Sequence, residues 1–213
     1  MKEKATGNRL FLSGILLAAG LSRRMGEINK LLLEVDGAPM VVHAANRLME
    51  ADVDERIVVL GHEAGRVREA LNGFDVRFVE NPGYPQGMTS SIQAGVRAVS
   101  PASVGYLIAL SDMPRLSPST PAGVLAAFRA AEALRPGAIV IPVYQGRRGH
   151  PVVFSVVYRE EILAHDEPEG CRGIVKRHAH RVIEMPTEDE GAVWDVDTME
   201  AGQKEKGKRK SGC

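Results

Sequence analysis

Residues 16–26 read LLAAGLSRRMG, and Lys30 follows four residues after Gly26. This stretch is the most informative part of the sequence about the fold. The apolar run Phe11–Leu17 leads into this loop, and the small residues that follow allow the backbone to turn close to a ligand. A hydroxyl and three cations come next, at Ser22, Arg23, Arg24 and Lys30. Such a cluster beside exposed backbone N–H groups suits a triphosphate. The loop therefore predicts a buried strand that ends in a phosphate-binding turn.

This loop differs from the common nucleotide-binding motifs. Five residues separate Gly20 from Gly26 and Glu27 follows in place of lysine, so the loop is not a Walker motif. The Gly-x-Gly-x-x-Gly dinucleotide fingerprint is missing as well. The alternative to phosphate binding is an ordinary strand and loop with arginines at the surface.

The beginning of the chain also resembles a secretory signal. Basic residues precede the apolar run Leu10–Leu21, and Ala18-Ala19-Gly20 would pass as a cleavage site. The run is too short to span a bilayer. We expect a first buried strand here instead, because the cationic residues that follow suit an anion-binding loop and serve no purpose at a mature N-terminus.

Short apolar runs alternate with helical patterns along the chain. Runs rich in β-branched residues predict strands at 11–17, 56–60, 76–79, 106–110 and 138–142, and less regular ones at 152–154, 181–184 and 192–193. Helices are predicted at 39–51, 63–71, 88–99 and 118–134, and near 156–164 and 173–178. This alternation predicts an α/β fold in three layers, with a mostly parallel sheet between helices.

Composition and charge indicate one globular domain with basic ends. Of 213 residues, 44% are hydrophobic, which excludes wholesale disorder. The net charge of zero conceals a tail, 202–213, with five basic residues and one acidic, and a leader, 1–9, with three and one. The body, 10–201, is therefore acidic, which excludes a broad basic surface for nucleic acid. We expect a disordered tail, and no specific nucleic-acid or membrane partner.

Acidic residues at two places could hold a metal. Asp112 follows an apolar strand, and ligands bind at the carboxyl edge of parallel sheets, where its oxygens suit Mg²⁺. The alternative for Asp112 is a turn residue that caps the following loop. Asp195 and Asp197 stand two residues apart, so on an extended segment only one of them would reach the same metal.

Other polar residues have simpler interpretations. Cys171 is expected to be a small buried residue, since two cysteines build no disulfide framework. Ser90 and Ser91 near a predicted helix start are most simply caps, although a phosphate could also bind there. His150, between Gly149 and Pro151, suits a structural turn and a substrate contact equally well.

Five motifs in order give the chain a family resemblance. They are LAAGLSRRMG with Lys30, NPGYPQGMTSSI at 81–92, SDMP at 111–114, GRRGHP at 146–151 and DVDT at 195–198. Together they resemble nucleotidyltransferases with a Rossmann-like, GT-A-like sheet, and within these the molybdenum cofactor cytidylyltransferases and their guanylyl relatives. The resemblance extends from about Leu12 to Thr198 and covers nearly the whole chain.

The resemblance implies a role for each matching residue. The base and ribose would lie on Leu17, Ala18, Ala19 and Gly20, and the triphosphate on Ser22, Arg23, Arg24 and Lys30. The implied catalytic residues are Arg24, Lys30 and Asp112, with Mg²⁺ on Asp112 and on Asp195 or Asp197. Asn81 and Ser90 join the substrate-binding set. The acceptor, molybdopterin, would meet Arg148, His150, Arg172 and Lys176.

The implied reaction is transfer of CMP from CTP to the terminal phosphate of molybdopterin in the cytoplasm, in molybdenum cofactor biosynthesis. Guanylyl relatives typically have Ala-Gly-Gly where this chain has Ala18-Ala19-Gly20, and the added methyl group favours a pyrimidine. The alternatives are a guanylyltransferase, a sugar- or polyol-phosphate nucleotidyltransferase, and a module that delivers the finished cofactor to a molybdoenzyme or its maturation chaperone. Lys30 and Asp112 favour an enzyme over a binding module.

Overall fold

The computed structural model describes residues 9–21 and 29–194. The predicted leader up to residue 8, the three loop residues Ser22, Arg23 and Arg24, the pair Asp195 and Asp197, and the tail lie outside these residues.

Strands and helices alternate along the described chain. In order, they are β1 (Leu12–Ala18), β2 (Glu34–Val35), β3 (Ala38–Pro39), α1 (Met40–Glu50), β4 (Glu55–Leu60), α2 (Ala64–Ala70), β5 (Arg77–Glu80), α3 (Met88–Ala98), β6 (Gly105–Leu110), α4 (Ser119–Leu134), β7 (Ile139–Tyr144), β8 (Arg147–Arg148), β9 (Val152–Ser155), α5 (Arg159–Ala164), α6 (Arg172–Arg177) and β10 (Val182–Pro186).

One sheet forms the centre of the molecule, with strand order β10-β7-β9-β6-β1-β4-β5 and β8 paired to β7. Neighbouring strands pair in parallel, except that β9 is antiparallel to β6 and β7 and β8 is antiparallel to β7. The predicted mostly parallel sheet is confirmed.

Both faces of this sheet are buried under helices. Along β1, Leu12 and Leu16 pack into one core cluster, while Ile15 and Leu17 pack into the other. The first cluster includes residues of α1, α2 and α4, and the second includes residues of α3, α5 and α6. This arrangement confirms the three-layer α/β/α fold, because a continuous apolar run such as β1 needs cover on both sides.

Most predicted elements agree with the structure to within one or two residues, but the strand predicted at 192–193 is wrong. Glu190–Val193 is a short 3-10 helix, and the Asp189 side chain accepts a hydrogen bond from Gly191 N at 2.9 Å. The local turn formed by this aspartate takes the backbone out of the extended conformation. Likewise, 156–164 is a 3-10 turn followed by the short helix α5.

The register of the central strands determines where functional side chains meet. Leu17 lies opposite Leu110, and Ala18 lies opposite Leu60. The residues that follow these strands therefore share one carboxyl edge, where ligands bind in parallel sheets. None of the helices within the described ranges is long and apolar enough to cross a membrane.

Candidate active site

A cleft of about 490 Å³ opens at the carboxyl ends of β1 and β6. Its walls come from the turn after β1, the turn that carries Lys30, the loop that leads into α3 and the turn after β6. Leu17, Ala19, Gly20, Lys30 and Asp112, all predicted site residues, line it. The fold thus brings together residues that are distant in sequence.

Lys30 and Asp112 form an ion pair in this cleft. Lys30 Nζ lies 2.8 Å from Asp112 Oδ2, and the two side chains are 13% and 22% exposed. The sequence predicted a phosphate-binding cation and a metal-binding carboxylate, and the structure places them in contact. A cation and a carboxylate at the rim of one cleft can hold a triphosphate and its counter-ion together.

Two buried polar residues position this pair. Asn29 precedes Lys30; its Oδ1 accepts a hydrogen bond from Leu31 N at 3.1 Å and its Nδ2 donates to the His62 carbonyl at 3.4 Å. Ser111 precedes Asp112, and its hydroxyl donates to the Leu17 carbonyl at 2.6 Å. Sequence reasoning assigned neither residue a role, because buried hydrogen bonds of this kind depend on tertiary neighbours.

The turn after β1 presents alternate side chains to different surroundings. Leu17 and Ala19 line the cleft, whereas Ala18 is fully buried in the opposite core cluster. Ala19 is 3% exposed, and a methyl group placed on the neighbouring Gly61 would come within 2.8 Å of the Ala19 methyl. The glycine therefore permits the turns after β1 and β4 to approach closely.

Asn81 and Ser90 hold the loop into α3 in shape. Asn81 Nδ2 donates to the Ser90 hydroxyl at 2.9 Å, and that hydroxyl donates to the Gly83 and Gly87 carbonyls. The interpretation of Ser90 as a helix cap is wrong, since α3 begins at Met88 with Gly87 at the cap position. Internal hydrogen bonds thus engage both side chains.

His150 lies on the turn between β8 and β9, at the sheet edge where β6 ends. Its backbone N–H donates to the Ala192 carbonyl at 2.8 Å, and its ring Nδ1 is buried with no hydrogen-bond partner among the described residues. Burial lowers the pKa of His150; the nearby Asp112 carboxylate raises that pKa and Arg172 lowers it. The balance favours a neutral imidazole within electrostatic reach of both residues.

The remaining predicted acceptor residues are more dispersed. Arg172 begins α6 and is 79% exposed, with Glu169 at 3.5 Å as its ion-pair partner. Lys176 is exposed one turn later on α6 and is not among the residues that line the cleft. Arg148 pairs with Glu184 at 2.8 Å on β8, away from the cleft lining.

Several cleft residues had no predicted role. Tyr84, Gln86, Gly87 and Met88 line the wall, as does Pro168 from the loop before α6. The first four lie in the NPGYPQGMTSSI motif, so the motif was a usable signal for them. Pro168 carried no such signal, because it reaches the cleft only when its carbonyl accepts a hydrogen bond from Met88 N.

Cys171 lies just before α6, close to this loop. It is 8% exposed, and burial raises the pKa of its thiol to about 12. A protonated, buried thiol is unreactive, which confirms the interpretation of Cys171 as a small buried residue.

The implied divalent cation fits the residues at Asp112. Oδ2 is engaged by Lys30, but Oδ1 is buried and has no hydrogen-bond partner among the described residues. No cluster of three or more His, Cys, Asp or Glu within residues 9–21 and 29–194 could hold a metal ion. Such a set suits a cation that completes its coordination with substrate phosphates and water.

Comparison with known proteins gives a family match and several relatives. A family profile described as the MobA-like NTP transferase domain matches residues 14–182. A nicotine blue oxidoreductase from Paenarthrobacter nicotinovorans is 32% identical over 197 residues, covering 89% of this chain and 93% of that protein. A molybdenum cofactor guanylyltransferase from Burkholderia orbicola is 30% identical over 196 residues, covering 89% and 92%. The molybdenum cofactor cytidylyltransferase of Escherichia coli is 26% identical over 185 residues, covering 86% and 90%.

Solved structures agree with these matches. The crystal structure of Rv0371c from Mycobacterium tuberculosis superposes with a TM-score of 0.78 and 26% identity, over 92% of this chain and 97% of that one. A structure of Rv0371C in complex with manganese has a TM-score of 0.65 and 27% identity, over 83% and 88%. The relatives carry guanylyl, cytidylyl and oxidoreductase names, so the choice of substrate depends on the cleft itself.

Proposed function

The chain belongs to the MobA-like NTP transferase family, and from that premise we propose that it transfers CMP from CTP to the terminal phosphate of molybdopterin. In this reaction a phosphate oxygen of the acceptor attacks the α-phosphorus of CTP, and pyrophosphate leaves. The ion pair between Lys30 and Asp112 at the rim of the cleft is the observation that carries the proposal.

Charge is the main obstacle to this reaction. Both substrates are anions, and a phosphate monoester is already ionised near neutral pH, so no general base is required. Lys30 would lie beside the triphosphate and stabilise the charge that develops on the leaving pyrophosphate. Its partly buried position in the cleft strengthens this interaction relative to one in bulk water.

Asp112 would hold a divalent cation, Mg²⁺ or Mn²⁺, through Oδ1, which has no hydrogen-bond partner among the described residues. When bound, the cation supplies a Lewis acid that lowers the negative charge of the phosphates. Lys30 would then keep Oδ2 oriented and prevent the carboxylate from rotating away from the cleft.

Ala19 supports CTP over GTP. It lies on the cleft wall, and Gly61 lies close against it. The Ala19 methyl group therefore cannot move back to make room for a larger base without a change in the backbone. A pyrimidine needs less room beside that methyl group than a purine. The relatives include guanylyl and cytidylyl enzymes at similar identity, so this residue is the basis of the assignment.

Arg172 supports an anionic acceptor on the α6 side of the cleft. Its ion pair with Glu169 spans 3.5 Å between highly exposed side chains, so exchanging it for a phosphate costs little. Lys176, one turn further along α6, would add a second positive charge. The terminal phosphate of molybdopterin would thus enter between α6 and the triphosphate.

The direct test supplies the purified chain with molybdopterin, with or without molybdenum, and with CTP or GTP and Mg²⁺ or Mn²⁺. We expect a cytidine dinucleotide by mass spectrometry, equimolar pyrophosphate, and a clear preference for CTP. Asp112→Asn should lose nearly all activity, whereas Asp75→Asn, at an exposed aspartate, should retain it.

Other outcomes of this test would assign other functions. Preference for GTP would make the protein a guanylyltransferase. Tight binding of the cofactor without pyrophosphate release would make it a delivery module for a molybdoenzyme or its maturation chaperone.

Redox chemistry is the second candidate, favoured by the 32% identity to nicotine blue oxidoreductase. The cleft favours phosphate chemistry, because a paired lysine and aspartate serve a polyanion and its cation. Reduction of nicotine blue in the presence of a reductant, measured for the wild type and for Asp112→Asn, would reveal such an activity.

A further inference from the structure

Two buried polar atoms near the cleft have no hydrogen-bond partner among the described residues: Asp112 Oδ1 and His150 Nδ1. Buried polar atoms are nearly always satisfied, because an unpaired one costs free energy. Two such atoms on residues at the same edge of the sheet indicate a ligand that would satisfy both.

The sheet brings these two side chains together. Strands β6 and β9 are antiparallel, with Ile108 opposite Val152. Because these strands run in opposite directions, the end of β6, which Asp112 follows, and the beginning of β9, which His150 precedes, lie at the same edge of the sheet. The two residues are therefore close in the fold although 38 positions separate them in the sequence, and the Asp112 carboxylate raises the pKa of His150.

One nitrogen of the imidazole is available to a ligand. His150 Nδ1 is buried and has no hydrogen-bond partner among the described residues. A neutral imidazole carries a lone pair on one of its two ring nitrogens, and that nitrogen can ligate a metal ion.

We propose that His150 Nδ1 and Asp112 Oδ1 together bind the divalent cation of the active site. This assignment rests on the proposed function only in that a cation binds at Asp112; it does not depend on which nucleotide is used. These two ligands from the described residues leave other coordination positions open to phosphate oxygens and water.

A nitrogen ligand changes which cation binds best. Mg²⁺ prefers oxygen ligands, whereas imidazole favours transition ions, and affinity rises from Mn²⁺ towards Co²⁺ at such sites. The protein should therefore bind Co²⁺ and Mn²⁺ more tightly than Mg²⁺. A site with the Asp112 carboxylate as its ligand and no imidazole would discriminate less between these ions.

The experiment measures cation binding by the whole chain without nucleotide or acceptor. Mn²⁺ is titrated by electron paramagnetic resonance, and Mg²⁺ and Co²⁺ are measured by displacement of Mn²⁺. We expect His150→Gln to weaken Mn²⁺ on the order of tenfold, to weaken Co²⁺ more, and to change Mg²⁺ least. His180→Gln, at an exposed histidine, is the matched control and should bind all three ions as the wild type does.

A second measurement covers the case in which His150→Gln folds poorly. Substoichiometric Mn²⁺ should broaden the imidazole resonance of His150 in the wild type and leave that of His180 sharp. Affinities for Mn²⁺ and Co²⁺ in a folded His150→Gln variant that equal those of the wild type would overturn the assignment, as would a His150 resonance that Mn²⁺ leaves sharp. Cation binding that depends on His150 without nucleotide transfer would refute the proposed function alone.

Discussion

Replacement of Lys30 by methionine tests the centre of the site. Methionine keeps much of the volume of the side chain and removes its charge from beside Asp112. At the 2.8 Å separation of the pair, two unit charges attract by about 6 kcal/mol at an effective dielectric constant of about 20, before desolvation is subtracted. Because both side chains are less than a quarter exposed, the carboxylate left behind cannot be fully hydrated.

Two effects of Lys30→Met follow from this geometry. The free energy of unfolding should fall by about 2–3 kcal/mol, the usual cost of a charged group that loses its partner in a partly buried site. Turnover should fall by about 10²–10³-fold, the loss typical of one donor that stabilises charge in the transition state.

The assay combines pyrophosphate release at saturating CTP with urea unfolding of the same variants. Asp112→Asn added to Lys30→Met should restore part of the lost stability, because the amide carries no unpaired charge, and should not restore turnover. Arg135→Met, at an exposed cation after α4, controls for loss of a surface charge. Turnover of Lys30→Met within about threefold of the wild type would refute the role of Lys30, which is expected to supply far more.

Three further predictions concern the cleft wall, the backbone and the buried thiol. Ala19→Gly should shift the ratio of kcat/KM for CTP and GTP towards GTP in competition assays, and an unchanged ratio would remove Ala19 from base selection. Gly149→Ala should cost about 3 kcal/mol in urea unfolding because overpacking forces the backbone to move, since a methyl group there would lie 2.1 Å from the Ala192 carbonyl oxygen. Gly65→Ala, in α2 with open space around it, should instead gain about 0.5–1 kcal/mol. Burial raises the pKa of Cys171 from 9.0 to about 12, so the stability that its protonated form contributes is present below pH 9 and lost as the pH rises towards 12. Cys171→Ala should therefore lose less stability than the wild type between those pH values, as circular dichroism would show.

Local sequence patterns were sufficient to predict the strands of the sheet and the helices that cover it. Buried strands such as β1 and β6 are short apolar runs bounded by turn residues, and amphipathic spacing marks α1 and α3. These signals are local because each element must cover its own apolar face. The segment Glu190–Val193 departs from this rule, since a single hydrogen bond from Gly191 N to Asp189 decides its conformation.

The candidate site was only partly accessible to such reasoning. Lys30 and Asp112 stood out because each follows or neighbours a predicted strand end and carries a charge. That they pair, and that Asn29 and Ser111 hold them, depends on hydrogen bonds between distant segments. Asn81 and Ser90 were expected to meet substrate, but their side chains bond to each other and to the loop around them.

By itself, the sequence determined the class of fold, the loop after β1 and the aspartate after β6, because periodicity and turn chemistry act over a few residues. Only the tertiary structure decided which of these groups touch. The register between strands places Leu17 opposite Leu110 and brings Lys30 to Asp112 across 82 positions. Pairing of β6 with β9 likewise places His150, just before β9, at the edge of the sheet where β6 ends. Contacts of this kind follow from how a whole sheet is assembled, and no short segment contains that information.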